Sequence, residues 1–309
     1  MLTARGGLAS HAAVVARGWG IPAVVGAEGV KVGDREVEIG GRVFKAGETI
    51  TIDGGSGEIF AGAIAGTTSV VPEAATLLGW AKELGIEIGP PAREAASVNA
   101  GTGSANAADG MRVLAIKGSA SEDGLAAALL ADPEGARAAL DQLVAEGLVE
   151  PGADGFRLTR TGKAAAHSQL AADQSRWGSE NAVAALDAFQ PLDHRVKEAV
   201  TAWQLRDVGG VQVINDHTDA SYDASVLTRL ASAHADTAGW MSTLGDAPAS
   251  LARYLARLEL ALTAANGGDH RFVASPRVDS YHGVWFELHE ELILLAGRSR
   301  AEEGAAGRA

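Results

Sequence analysis

Short alternations of apolar and polar residues, separated by glycine-rich turns, dominate the first sixty residues of the chain. Residues 36–39 and 42–45 alternate around one glycine pair, and residues 48–53 and 58–61 alternate around a second glycine-rich turn. Alternation with a period of two predicts strands, and paired glycines favour the tight turns of hairpins. The pattern therefore predicts two β-hairpins in this region.

Beyond a segment that carries one predicted helix at 72–84, apolar residues recur with the helical period. Helices are predicted at 111–116 and 121–130. A third is predicted to start after Asp132, with Pro133 at its first position, and to end at Gly147. These three elements predict a small helical module in the middle of the chain.

A hairpin is predicted to follow the three helices. Residues 148–150 and 156–159 flank a Pro-Gly-Ala-Asp-Gly turn, and Thr161 begins a further helix. Three helices followed by a hairpin resemble a winged helix, which is a resemblance in fold only.

The last third of the chain is predicted to be mainly helical. Further helices are expected at 225–233, 249–265 and 285–296. One apolar stripe precedes them and consists of Leu186, Phe189, Leu192, Val196, Val200, Trp203 and Leu205.

Residues 3–26 contain the most informative motif, Thr-Ala-Arg-Gly-Gly-Leu-Ala-Ser-His followed by an apolar helical stretch and Gly-Ile-Pro-Ala-Val-Val-Gly. Ser10 is a good helix N-cap, which places His11 in the first helical turn. Free N–H groups and the positive end of the helix dipole stabilise a phosphoryl group there. Imidazole is also a nucleophile near neutral pH, so the motif predicts reversible phosphorylation of His11.

This motif resembles the phosphohistidine, or swivelling, domain of the PEP-utilising enzymes, and it is most similar to the pyruvate phosphate dikinase branch. The similarity is close over residues 3–26 and looser to about residue 62. It implies that His11 carries the phosphoryl group. Two departures are Ala9, where dikinases often have a regulatory threonine, and Ala4, where an acid is common. The residues that would line or support the phosphate are Thr3, Gly6, Gly7, Ser10 and Arg17.

The resemblance also predicts what must accompany this segment. In the family, several strands precede the motif, whereas here two residues do, so we expect a partner chain, self-association into a homo-oligomer, or a longer parent protein. We expect an ATP-grasp nucleotide-binding chain or domain as partner. ATP and Mg²⁺ are expected on that partner rather than on this chain, and a PEP- or pyruvate-like small molecule is a candidate acceptor.

Composition narrows the function classes. The chain has 309 residues, a net charge of −13 and no cysteine. It therefore has no disulfides or thiolate sites, and its charge argues against a general nucleic-acid role. There is no signal-peptide pattern and no apolar run of about 18 residues, so we expect a cytoplasmic protein without a membrane anchor.

The predicted third helix of the winged-helix-like region argues against DNA reading. Residues 133–146 carry one basic residue, Arg137, against three acids, whereas phosphate contacts need several Lys or Arg. Arg157, Arg160 and Lys163 on or after the hairpin keep weak DNA binding open. A protein-contact or hinge module is the preferred interpretation.

Polar clusters between the last helices form a second candidate site. Arg206, His217, Arg277 and His282 are expected to lie near a carboxylate- or phosphate-bearing metabolite. The alternative is that these residues cap helices and turns, with His289 on a solvated face. Whether this region binds a metal stays open. The side chains with the chemistry to bind either a metal or a phosphorylated ligand are Asp216, His217, Asp219, Asp223, His282 and His289.

The sequence thus predicts a multidomain α+β protein with a mainly α-helical C-terminal part. The expected segments are a partial β/β/α swivelling domain (1–65), a linker with one helix (66–109), a winged-helix-like domain (110–172), a helical domain (173–300) and a disordered tail (301–309). The function expected is that of a phosphotransferase component. The alternative is a non-catalytic regulatory or metabolite-binding protein.

Overall fold

The structure, a computed structural model, describes residues 1–6, 16, 22–33, 36–54, 57–64, 105–152 and 155–305. It combines helices with small antiparallel sheets, so the expected α+β class is confirmed at this level. The chain divides into two compact units, Met1–Glu94 and Ala95–Ala309. The helix expected at 72–84 lies outside the described residues.

The first unit contains both predicted hairpins. Strands β1 (Val30–Val32), β2 (Glu36–Ile39) and β3 (Arg42–Lys45) form one antiparallel sheet. Strands β4 (Ile50–Ile52) and β5 (Ile59–Ala61) form another. Gly40 and Gly41 both have positive φ, 58° and 82°, as a two-residue hairpin turn requires. The sequence pattern missed β1.

A short parallel pairing joins the two ends of the His11 motif. Leu2 and Val24 form a parallel bridge, and the Thr3 N–H donates to the Val24 carbonyl at 3.0 Å. The Ala27 N–H in turn donates to the Thr3 carbonyl at 3.0 Å. Between these ends Ala16 is helical and buried. The described residues therefore bring the entry and the exit of the motif side by side.

The second unit begins with the predicted three helices and hairpin. The elements are α1 (Ala107–Lys117), β6 (Ser119–Ala120), α2 (Glu122–Leu129), α3 (Pro133–Ala145), β7 (Val149–Gly152) and β8 (Gly155–Leu158). The sheet order is β6-β8-β7, all antiparallel.

Side-chain caps fix where these helices start. Ser121 accepts from the Gly124 N–H at 3.1 Å, and Asp132 accepts from the Gly135 N–H at 2.6 Å. Each cap satisfies a donor that the helix itself leaves free. The predicted start of the third helix after Asp132 is confirmed.

Long helices and one hairpin complete the second unit. They are α4 (Arg160–Trp177), α5 (Ser179–Gln204), β9 (Leu205–Val208), β10 (Val211–Ile214), α6 (Ala220–Met241), α7 (Ala249–Asn266), α8 (Arg271–Ala274), α9 (Tyr281–Leu295) and α10 (Arg300–Ala305).

Two sequence expectations need correction in this part of the chain. Leu205, expected to be the last residue of the apolar helical stripe, instead begins the antiparallel β9–β10 hairpin, which turns at Gly209 and Gly210. The expected tail (301–309) carries α10 over its first residues, where Glu303 is buried. The expected domain boundaries stay predictions.

The second unit has two hydrophobic clusters. The first cluster is built on α1, α2, α3 and the β6–β8–β7 sheet and includes Leu114, Leu125, Leu140 and Leu143. The second cluster is built on α5, α6, α7 and α9 and includes Phe189, Leu230, Leu258 and Trp285. Helix α4 contributes to both, with Ala166 in the first and Leu170 in the second. A continuous helix therefore links the two clusters.

Within the described residues, no helix combines the length and apolar character that crossing a membrane would require.

The close approach of α4 to Leu148, the residue before β7, predicts that one added methyl group strongly affects stability. A Cβ on Gly162 would lie 1.9 Å from the Leu148 carbonyl oxygen, so Gly162→Ala must displace the start of the helix. We expect it to lower the free energy of unfolding by about 3 kcal/mol, as measured by urea denaturation.

Gly239→Ala in α6 is the matched control. A Cβ there meets nothing within 4 Å, so the helix propensity of alanine should raise the free energy of unfolding by about 0.5–1 kcal/mol. Equal behaviour of the two variants would contradict this description of the α4 start.

Candidate functional site

The described residues of the His11 motif form a tight backbone junction. Gly6 has φ 108° and Gly26 has φ 70°, both in the region that favours glycine. A Cβ on Gly26 would lie 2.3 Å from the Gly6 carbonyl oxygen. Thr3 Oγ1 donates to the Arg5 carbonyl at 2.9 Å and steadies the turn. Glycine is thus required where the two ends of the motif approach each other.

Most of the residues assigned to the phosphate lie outside this junction. Thr3 and Gly6 are described, whereas Gly7, Ser10, His11 and Arg17 lie outside the described residues. Their roles therefore stay predictions.

In the C-terminal candidate site, His217 is held by a buried carboxylate. Its Nδ1 lies 3.0 Å from Asp223 Oδ2, and Asp223 is buried on the first turn of α6. Asn215 donates from Nδ2 to Asp223 Oδ1 at 2.8 Å and to the Trp203 carbonyl at 3.1 Å. The Trp203 ring lies 4.5 Å from the His217 ring. Residues from α5, the β10–α6 loop and α6 therefore meet at His217.

Arg206 belongs to the same neighbourhood. Its guanidinium lies 3.9 Å from Asp216 and 4.0 Å from Asp219, too far for hydrogen bonds, and its Nε is buried without a partner among the described residues. The structure thus brings Arg206 and His217, two of the predicted site residues, into one cluster.

Asp216 and Asp219 also have capping roles, as the alternative interpretation held. The Thr218 hydroxyl donates to Asp216, and the Ser221 hydroxyl donates to Asp219, the N-cap of α6. These hydroxyl hydrogen bonds are the main cause that lowers the pKa of each carboxyl group. Both are therefore negatively charged at neutral pH.

The other two predicted residues lie elsewhere on the chain. Arg277 is exposed between α8 and α9, where its N–H donates to Ser275 Oγ at 3.2 Å. His282 lies on the first turn of α9. In the described part of the chain no hydrogen bond or ion pair joins Arg277 to Arg206 or His217. Nor do the described residues contain a group of three His, Asp or Glu disposed to bind a metal.

The expectation that His289 lies on a solvated face is wrong. His289 is only 2% exposed, and its ring packs 5.0 Å from that of Phe189. Its Nδ1 is 3.6 Å from Asp193, whose carboxylate also accepts from Trp285 Nε1 at 2.9 Å. Burial lowers the pKa of His289 to about 4, against the opposing effect of Asp193. The imidazole is therefore neutral at pH 7.

Sequence reasoning missed a buried ionic cluster that joins the two hydrophobic clusters. Arg112 of α1 is 4% exposed and pairs with Asp173 of α4 and with Glu291 of α9, at 3.0 Å for the latter. Glu291 also accepts from Ser250 at 2.5 Å and from Tyr254 at 2.8 Å. All of its hydrogen-bonding partners are thus brought by other helices.

Arg257 of α7 forms the second half of this cluster. It binds Asp279 through Nε at 2.7 Å and Nη2 at 2.6 Å, and Glu287 at 2.8 Å. Lys117 of α1 pairs with the same two carboxylates. Burial alone would raise the pKa of Asp279, but Arg257 and Lys117 lower it to about 2. We call the contacts of Arg112, Lys117 and Arg257 the ionic cluster.

The ionic cluster is structural rather than a metabolite site. The cavity beside Arg112, Arg253, Arg257 and Glu291 has a volume of about 10 Å³, which is about what one water needs. In the sequence, this cluster is indicated by Arg112 inside the apolar run 111–116. Such an arginine can be recognised as a buried charge only when its distant partners are known.

Comparisons with known proteins bear on the N-terminal segment. A family model described as "PEP-utilising enzyme, mobile domain" matches residues 1–57. Over 64 residues the chain is 52% identical to pyruvate, phosphate dikinase 2 of Zea mays, which covers 20% of this chain and 7% of that protein. Over 87 residues it is 47% identical to pyruvate, phosphate dikinase of Rickettsia typhi, covering 27% and 10%. No solved structure matched the chain.

The resemblance to the PEP-utilising mobile domain is therefore confirmed, over the N-terminal region only. The chain covers a tenth or less of the length of these two curated relatives. The matched residues include the whole motif around His11.

The ionic cluster predicts that replacing Arg112 by a neutral residue strongly destabilises the folded protein. Arg112→Met leaves Glu291 and Asp173 buried without their main counter-charge, so we expect a loss of about 3–5 kcal/mol in the free energy of unfolding. Arg157→Met is the control, because Arg157 and Glu150 form an exposed pair at 2.9 Å and should contribute less than about 1 kcal/mol. Urea denaturation measures both, and similar losses would contradict the structural role of the cluster.

The buried His289 predicts that the stability of the protein depends on pH. The dependence should lie between the usual pKa of histidine and the lowered pKa of His289 in the folded protein. The unfolded chain takes up a proton near pH 6.5, whereas the folded protein resists protonation to about pH 4. Stability should therefore fall as the pH drops from 6.5 to 4, by about 3 kcal/mol from this group. His289→Gln should remove this part of the pH dependence, while His194→Gln, at an exposed site, should keep it. Unchanged profiles for both variants, measured by thermal denaturation, would contradict the assignment.

Proposed function

We propose that this protein is a phosphotransferase component in which His11 carries a phosphoryl group between a nucleotide-binding partner and an acceptor. The observation that carries the proposal is the match of residues 1–57 to the PEP-utilising mobile domain, with the His11 motif intact inside it. The close approach of the motif's entry and exit at Gly6 and Gly26 also supports the proposal.

In the proposed step, an imidazole nitrogen of His11 attacks the phosphorus of the donor. An N–P bond forms while the P–O bond to the donor's leaving group breaks, and the reverse displacement passes the group to the acceptor. Ser10 as N-cap and the neighbouring N–H groups would stabilise the charge on the phosphoryl oxygens, with Arg17 as counter-charge and Thr3, Gly6 and Gly7 shaping the loop.

The proposal requires a partner. We propose an ATP-grasp chain or domain that binds ATP and Mg²⁺ and phosphorylates His11, with a PEP- or pyruvate-like molecule as acceptor. The names of the relatives, pyruvate, phosphate dikinases, agree with this chemistry for those proteins. Cytoplasmic location is part of the same proposal.

For residues 110–172 we propose a winged-helix module that contacts protein rather than DNA. The helix order and the β6-β8-β7 sheet support the fold. On α3 the exposed Arg137 faces solvent beside Glu134 and Asp141, and Arg157 on the hairpin is paired with Glu150. Acids thus outnumber bases on α3, while the exposed Arg160 and Lys163 at the start of α4 keep weak contact with phosphates open. A regulatory or metabolite-binding protein remains the alternative function.

The carrier role predicts a phosphoryl adduct on a single histidine. Incubation with a purified ATP-grasp partner, Mg²⁺ and ATP labelled in the transferred phosphate should give an acid-labile, base-stable label that mass spectrometry maps to His11. His11→Ala should reduce the label at least a hundredfold, while His194→Ala at an exposed surface site should leave it unchanged. Full labelling of His11→Ala, or no labelling of the wild-type protein, would contradict the proposal.

A further inference from the structure

The β9–β10 hairpin leaves apolar side chains uncovered. Val208, Val211 and Val213 are 52%, 62% and 37% exposed. Cross-strand neighbours lie on the same face of a sheet, as do residues two positions apart on one strand. Val208 is paired with Val211, and Val213 is two positions further along β10. The three side chains therefore share one exposed apolar face, which we call the valine face.

The outer edge of β10 has main-chain groups that β9 does not use. The Asn215 N–H donates to the Gln204 carbonyl at 2.8 Å, and bonding alternates along an antiparallel pair. Gln212 and Ile214 therefore direct their N–H and C=O groups away from β9. Among the described strands, only β9 pairs with β10. This edge of the hairpin can accept a further strand.

The two edges of the hairpin differ. On β9 the outward carbonyl of Leu205 accepts from the Tyr222 hydroxyl at 3.2 Å, so that edge is covered where it leaves α5. The sequence of β10 is Val-Gln-Val-Ile. It contains no lysine, proline or other charged residue of the kind that protects exposed edges from pairing. The edge open to association is therefore that of β10.

A second copy of β10 matches this edge in one register. About a two-fold axis, the edge groups of Gln212 meet those of Ile214 of the second copy, and the reverse pair forms by symmetry. About four main-chain hydrogen bonds result. Val213 then lies opposite its own counterpart on the axis, so the valine faces of the two copies become continuous.

The distribution of charge permits two copies to meet at this strand. A net charge of −13 makes two copies of the chain repel each other overall. The register places Val211 opposite Asn215 of the second copy, and Gly210 opposite Asp216 of the second copy. No two like charges are directly opposed along the paired strands, so the local repulsion is small.

We propose that two copies of this chain associate through β10 into a four-stranded antiparallel sheet with a two-fold axis at Val213. An isolated two-stranded hairpin is marginally stable in water, whereas a larger sheet with a shared apolar face is more stable. Strands this short bury less than about 1,200 Å² in total, the size of weak complexes. The dimer should therefore form at about 10–100 µM protein. It is independent of the role of His11.

Disulfide trapping in the full chain tests the register. The chain has no cysteine, so one introduced thiol can pair only with its counterpart in another copy. Val213→Cys places the two Cα atoms about 4.5 Å apart, within reach of a disulfide. Val211→Cys is the matched control on the same face, because its counterpart is more than about 13 Å away in this register. Under mild oxidation, Val213→Cys should give at least ten times more covalent dimer.

Sedimentation equilibrium tests the same contact without a crosslink. Gln212→Pro removes an edge N–H that the hairpin does not use, whereas Gln212→Ala keeps it. Val213→Lys opposes like charges at the axis, and Val144→Lys, at a valine that is 40% exposed on α3, is its control. With folding checked by circular dichroism, dimerisation should be at least tenfold weaker in Gln212→Pro and Val213→Lys. It should be nearly unchanged in the two controls.

Three results would overturn the proposal. The first is a wild-type chain that remains monomeric at about 500 µM, well above the concentration expected for dimerisation. The second is equal trapping of Val213→Cys and Val211→Cys, which would place the contact elsewhere or in another register. The third is a dimer whose affinity is the same in Gln212→Pro and in the wild-type protein, because such a dimer does not use the β10 edge.

Discussion

The pairing of buried arginines with carboxylates from other helices is the constraint on which residues 105–305 depend. A buried charge is tolerated only when its counter-charge and hydrogen bonds are all supplied. Arg112 of α1 obtains them from α4 and α9, and Arg257 of α7 obtains them from α9 and the segment before it. Displacing any of these helices would leave a charge unpaired in the interior, so their relative positions are fixed.

The ionic cluster explains how two hydrophobic clusters act as one body. Apolar packing by itself tolerates sliding and repacking, whereas charge pairs with bidentate geometry do not. Helix α4 runs through both clusters, and Lys117 adds a third cation from α1 to the carboxylates at Asp279 and Glu287. This coupling favours a protein-contact role over a hinge role for the winged-helix-like region, because a hinge there would have to break buried ion pairs.

Local signals in the sequence predicted local structure well. Asp132 with Pro133 located the start of α3, and glycine pairs located the hairpins of the first unit. The β9–β10 hairpin was missed because its apolar residues Val208, Val211 and Ile214 are exposed. The hairpin therefore lacks the alternation of buried and exposed residues by which a strand is recognised in a sequence. Arg112 and Glu291 are separated by 179 positions, and no periodicity reports such a pair. His217 and Asp223 were noticed because they are close in sequence.

Native-state hydrogen exchange at increasing urea concentration tests the coupling most directly. The slowest amides of α1–α3 and those of α5–α9 should converge on a single free energy of opening, because the ionic cluster cannot be broken on one side alone. An unfolding step that releases the amides of α1–α3 at lower free energy, while α5–α9 remain protected, would contradict the account.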